Sequence, residues 1–201
     1  MAQASPGITF VAATQLEFKA LRRELPDART IRTGIAFAGL REDLGSIVVS
    51  CGVAGALRPD LPTGTALIPR EVLRPSGDTL RCDGKLVDAL AARARSLGIV
   101  PVFDPLLTAS EIVCGNERAM WARRGYAGVD MESGLIHAPR LAVVRVILDT
   151  PERELSDAWL RGLGVIFRPD AWRELPWLAR FAPRYARLAA SIVRSTSFSA
   201  L

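Results

Sequence analysis

Histidine is nearly absent from this 201-residue chain, in which His137 is the only one. A Ser-His-Asp triad would have to use it, and a metal site built on several histidines is excluded. Cysteine is scarce as well. Cys51, Cys82 and Cys114 are odd in number and show no CxxC spacing, which argues against a disulfide framework and a zinc site and fits a reducing, cytoplasmic setting. No apolar run approaches the length that spans a bilayer. Met1 to Gly7 lack the basic start and apolar core of a signal peptide. Lysine is confined to Lys19 and Lys85, so the net charge of +5 rests on arginine, whose planar fork suits phosphate and carboxylate groups. Those arginines are scattered, with only Arg22-Arg23 and Arg123-Arg124 adjacent, and no basic tail or aromatic-interleaved stripe marks a nucleic-acid binder. Acid–base chemistry is therefore expected to run on carboxylates, and no metal or organic cofactor is implied.

What is present reads as an ordinary globular chain, 49% apolar and 23% charged, long enough for one well-buried domain over 1–201. Ile8 to Ala13 predicts a buried strand, and Leu16 to Leu25 a helix stopped by Pro26. Further strands are predicted at Ser46–Cys51, Thr65–Pro69, Ile99–Phe103, Thr108–Val113 and Gly128–Glu132, with Leu141–Asp149 as the central one. Helices are expected at Lys85–Leu97, closed by Gly98, near Asn116–Arg124, and over Trp172–Val193, where Pro176 and Pro183 should kink or split the last one. Its expected role is to pack on the sheet; Trp172, Trp177 and Phe181 among arginines also fit a lipid-facing surface. Pro151 to Pro169 reads as a surface crossover. Strands that are apolar throughout and alternate with helices predict a three-layer α/β/α sandwich around a largely parallel, twisted sheet.

Carboxylates at the ends of these strands are the informative feature. Asp149 closes the central strand, Glu132 follows another, and Glu17 follows the first. Ligands of open α/β sheets bind outside the carboxyl ends of the strands, and a charge placed there is costly unless it is paired or used. Gly52-Val53-Ala54-Gly55-Ala56 reads as a small-residue turn whose backbone N–H groups could hold an anion or a sugar oxygen. Competing structural readings exist: Glu17 as a solvated first-turn acid, Glu132 as a helix-start acid, Asp149 as a cap of the next turn. Arg145, inside an apolar strand, is expected to pair with a buried acid. His137 reads as a surface residue and the cysteines as small buried apolar groups.

Taken together, several segments resemble the nucleoside phosphorylase and methylthioadenosine/adenosylhomocysteine nucleosidase family. Gly52 to Leu61 with Gly64 and Ile68-Pro69 is similar to its glycine-rich segment. Val129-Asp130-Met131-Glu132-Ser133 resembles the signature around its sugar-binding glutamate, and Val144 to Thr150 the strand that ends in its purine-protonating aspartate. Ala12 to Glu17 resembles its first strand and loop. The segments fall in the family's order and cover most of the chain. Among subgroups the resemblance is nearest to bacterial phosphorylases associated with hopanoid lipid synthesis.

The resemblance implies cleavage of the N-glycosidic bond of a purine nucleoside or adenosyl conjugate, through an oxocarbenium-like sugar. Asp149 would protonate the leaving purine, and Glu132, beside Met131, would accept hydrogen bonds from the ribose hydroxyls. Glu17 would orient or deprotonate an attacking water. Backbone amides of Val53, Ala54 and Gly55 would line the sugar or phosphate position, and Ile112 and Val113 would flank the purine. Phosphorolysis would instead need cations, with Arg22, Arg58 and Arg145 as candidates. A glutamate at position 17 would repel phosphate, so hydrolysis is the expectation. A small-molecule nucleoside and a homodimer are the partners implied.

Three departures stand against this. The segment between Glu17 and Gly52 is short and lacks a strand hairpin before Thr33-Gly34-Ile35-Ala36, His137-Ala138-Pro139 interrupts the helix after Glu132, and Leu148 stands where a small polar residue is usual. They imply either a more open pocket, suited to a bulky substrate such as an adenosyl-lipid, or a member that binds a nucleoside-like ligand without catalysis. A Rossmann-type dinucleotide site is disfavoured, because the Gly52 segment lacks GxGxxG spacing and follows a later strand.

Overall fold

Two ten-residue strands, Ile47–Ala56 and Arg140–Asp149, run parallel along their whole length and form the spine of the sheet. They belong to a computed structural model that describes residues 7–37, 43–155 and 169–194, with backbone only for 169–173. In chain order the described elements are β1 (Ile8–Ala12), α1 (Gln15–Glu24), β2 (Arg29–Arg32), β3 (Ile47–Ala56), β4 (Ala66–Leu67), β5 (Glu71–Leu73), β6 (Thr79–Arg81), α2 (Gly84–Ser96), β7 (Leu106–Thr108), α3 (Gly115–Arg123), β8 (Gly128–Asp130), β9 (Arg140–Asp149) and α4 (Pro169–Arg194). The path through the sheet is β2-β1-β3-β8-β7-β5-β6, with β9 along β3 and β4 along β9. The pairs β1–β2, β1–β3, β3–β9, β5–β7 and β7–β8 are parallel, whereas β3–β8, β4–β9 and β5–β6 are antiparallel.

Alternation along the central strands divides the core into two faces. Ile47, Val49 and Cys51 of β3 and Ala142, Val144, Val146 and Leu148 of β9 face α1, α2 and α4. Val48, Ala54, Leu141, Val143 and Ile147 point the other way, into a cluster closed by loop residues such as Leu61 and Ile136. Both faces are apolar, which is why these strands read as continuous hydrophobic runs. A smaller cluster gathers Leu57, Leu107 and Val129 with Trp121 and Ala122 of α3.

Local chemistry explains the helices. Thr14 caps α1 through a capping box with Glu17. Asp83 caps α2 by accepting the Leu86 N–H at 3.0 Å, and Leu86, Val87, Leu90, Ala91 and Ala94 bury one stripe. Gly98, at φ +74°, turns the chain after that helix.

Several sequence expectations need correction. Ile99–Phe103 is not a strand: Val102 makes one bridge, to Leu67, and Val100 is exposed beside Pro101. The strand expected at Thr108–Val113 is instead Leu106–Thr108, and the residues after it form a loop. The segment from Gly52 to Ala56 is not a turn but the end of β3, where pairing to β9 and β8 continues. Pro176 and Pro183 do not split α4, which runs without interruption. β2, β5 and β6 are additional strands; β2 is a single parallel strand before Thr33, with no hairpin. The side chain of Trp172, most of the expected crossover from 151 to 169, and Met1 to Pro6 lie outside the described residues. No helix among the described residues is long and apolar enough to cross a membrane.

Candidate active site

A cavity of about 250 Å³ opens where β1, β3, β8 and β9 end, and Glu17, Glu132 and Asp149 all line it. Val53, Ala54, Gly55, Met131, Ile112 and Val113 line the same cavity. Each acid reaches it by a different local device.

Glu17 sits in the first turn of α1. Its Oε2 accepts from the Thr14 N–H at 2.8 Å and the Thr14 hydroxyl at 2.7 Å, while Oε1 accepts from the Val53 N–H of β3 at 2.8 Å. The carboxylate is buried rather than solvated. Because the Val53 amide is committed to Glu17, it is not free to hold a sugar or phosphate oxygen.

Glu132 follows β8, and the chain then makes only a short 3₁₀ turn, Ser133–Leu135. Burial, and next the neighbouring Asp130 charge, push its carboxyl up to about 7, against the pull of Arg145. Asp130, buried at the cavity wall, is bound to Arg145 at 2.8 Å and to the Thr108 hydroxyl at 2.7 Å. Arg145 also donates to the Ser50 and Ser133 hydroxyls, both at 2.8 Å. This buried network ties β3, β7, β8 and β9 together beneath Glu132.

Asp149 ends β9. The β3–β9 register shifts between Ala54 and Gly55, so Leu148 is skipped and Asp149 stands opposite Gly55. Such a bulge re-aims a side chain, here into the cavity. Burial raises its carboxyl above the ordinary range, and the guanidinium of Arg118 partly offsets this.

The three arginines considered for phosphate do not line the cavity. Arg22 is exposed at the last turn of α1, and Arg58 is bound to Asp60 at 2.8 Å and Asp104 at 2.9 Å. Arg145 is spent in its buried network. His137 is exposed; Cys51 is buried, Cys82 partly buried and Cys114 exposed, so the expectation for the cysteines fails at Cys114.

Arg118 escaped the sequence reading. It is the one cationic residue among the described residues that lines the cavity, and it pairs with Asp149 there. Nothing in its spacing separates it from Arg123 or Arg124; its burial does. Ile35, Glu111 and Leu155 are further lining residues without a clear sequence signal.

Compared by sequence, the chain matches no family model and no curated protein. Compared by structure, it resembles a 5′-methylthioadenosine/S-adenosylhomocysteine nucleosidase from Helicobacter pylori, with TM-score 0.70 and 14% identity, covering 96% of this chain and 98% of that one. The Neisseria meningitidis nucleosidase in complex with methylthio-immucillin-A gives TM-score 0.70, 17% identity, and 96% and 98% coverage. Futalosine hydrolase of Helicobacter pylori gives 0.67, 13%, and 94% and 96%. The chain therefore has the nucleoside phosphorylase-like α/β fold, over nearly its whole length.

Proposed function

We propose that this protein, built on the nucleosidase fold, hydrolyses the N-glycosidic bond of a purine nucleoside or adenosyl conjugate. The observation that carries the reading is that Glu17, Glu132 and Asp149, each behind a different strand, line one cavity. In the proposed reaction Asp149 gives its proton to a purine ring nitrogen as the C1′–N bond breaks, and the bonding electrons leave with the neutral base. Glu132 accepts hydrogen bonds from the ribose hydroxyls, which strengthen as positive charge develops on the sugar. A water oxygen bonds to C1′ and yields its proton to Glu17. Both acids return to their starting states by exchange with solvent.

Water is favoured over phosphate by the charge of the cavity. Acids outnumber cations among its charged lining residues, and its one cation among the described residues is already paired. Ile112, Val113 and Met131 supply apolar surface suited to the faces of a purine.

The test is release of adenine from methylthioadenosine by Asp149→Asn. The amide cannot donate the required proton, so turnover should fall by about 10³-fold or more with the fold intact. Activity at the wild-type level would overturn the assignment.

A further inference from the structure

We propose that Arg118 is the positioning residue of the proton donor, a guanidinium anchored independently of Asp149 that selects which carboxyl oxygen faces the substrate and receives the charge left after proton transfer. The inference rests on Asp149 being that donor. Arg118 is 3% exposed, in the middle of α3. Its Nε donates to the Val113 carbonyl at 2.9 Å and its Nη1 to the Ala56 carbonyl at 2.9 Å. These two backbone bonds, one to the loop before α3 and one to the end of β3, fix the guanidinium plane. Nη2 is then directed at Asp149 Oδ2.

The surroundings leave the carboxyl little choice. A β-carbon at position 55 would lie 3.0 and 3.2 Å from the two Asp149 oxygens and 3.3 Å from Arg118 Nη2, so the pair packs directly on the Gly55 backbone. Arg118 holds Oδ2, and the Leu155 N–H also donates to the carboxyl; in the proposal Oδ1 is the oxygen that carries the proton to the ligand. The Oδ1–H bond breaks, an N–H bond forms on the purine, and the new carboxylate is already beside a fixed cation. Such preorganisation avoids rearrangement at the moment of reaction.

A second carboxylate shares the guanidinium. Glu154 Oε1 lies 3.4 Å from Arg118 Nε and accepts the Gly115 N–H at 2.8 Å. When Asp149 is protonated, Arg118 thus keeps an anionic partner and is not an uncompensated buried charge. Of the elements packed around Asp149, α3 presents Arg118 and the segment after β9 presents Glu154 and the Leu155 N–H, while β3 presents only the backbone of Gly55 and Ala56. Glu17, Glu111 and Glu132 stand around the same cavity, and Asp130 is neutralised by Arg145.

Opposite charges at Arg118 and Glu154 predict opposite shifts of one titration. The experiment is the pH profile of kcat, from about pH 5 to about pH 9, for adenine release from methylthioadenosine by the full chain. Arg118→Met should lower kcat by about 10- to 100-fold with little change in KM, and move the alkaline limb up by about one pH unit or more. Arg118→Lys should return the limb towards wild type, and Glu154→Gln should move it down. Limbs unmoved in both Arg118→Met and Glu154→Gln, with kcat merely scaled, would overturn the inference and leave Arg118 as a strut of α3. If Arg118→Met does not fold, the direction of the Glu154→Gln limb decides alone. Asp149→Asn runs in parallel: its inactivity with unmoved limbs defeats only the role of Arg118, whereas its full activity defeats the underlying reading.

Discussion

Gly52 and Glu17 abut so closely that a β-carbon on residue 52 would overlap Glu17 Oε1, the oxygen that accepts the Val53 N–H. The glycine is required by this close approach, and the first acid of the cavity depends on a residue of β3 that carries no functional group. Gly52→Ala should destabilise the fold by about 1–3 kcal/mol through overpacking and lower adenine release by about 100-fold through displacement of the carboxylate. Adding Glu17→Ala to that variant should restore the melting temperature without restoring turnover. Recovery of both together would show that Glu17 is packing and not chemistry.

Glu132 makes stability depend on pH in an unusual direction. Its folded-state carboxyl is raised to about 7, so between the ordinary glutamate range and 7 the folded state holds a proton that the unfolded chain has released. Its contribution is fully present below the unfolded value and is lost as pH rises through about 7. The loss is at most about 3 kcal/mol. Urea midpoints at about pH 5 and about pH 8 should differ less in Glu132→Gln than in the wild type. Equal differences in the two proteins would contradict the environment described for Glu132.

Arg145 and Asp130 form a fully buried pair at 2.8 Å beneath the cavity. Arg145→Met strands a buried carboxylate and should cost about 3–5 kcal/mol. The same change should leave any effect of phosphate on adenine release as it is in the wild type. A selective loss of phosphate stimulation would return Arg145 to the site.

Much of this arrangement is visible in the sequence because burial on both faces writes itself as largely apolar runs. Ile8–Ala12, Ile47–Cys51 and Leu141–Leu148 are such runs. The acids that follow them, Glu17 and Asp149, stand out for the same reason. β2, as Arg29-Thr30-Ile31-Arg32, and β6, as Thr79-Leu80-Arg81, are short and largely exposed, so their composition resembles loop. Ile99 to Phe103 shows the reverse error, a β-branched run whose Val100 is 84% exposed. Gly52 to Ala56 looks like a turn because small residues are shared by turns and by strands that pack tightly on side chains. Arg118 was illegible, since one arginine among 24 gains its meaning only when α3 is laid against Ala56 and Asp149.

The most direct test of the account is adenine release from methylthioadenosine, measured by chromatography with and without inorganic phosphate. The account predicts release without phosphate, no stimulation when phosphate is added, and loss of the activity in Glu17→Gln with substrate binding retained. Release only in the presence of phosphate would contradict hydrolysis at a cavity walled by Glu17, Glu132 and Asp149.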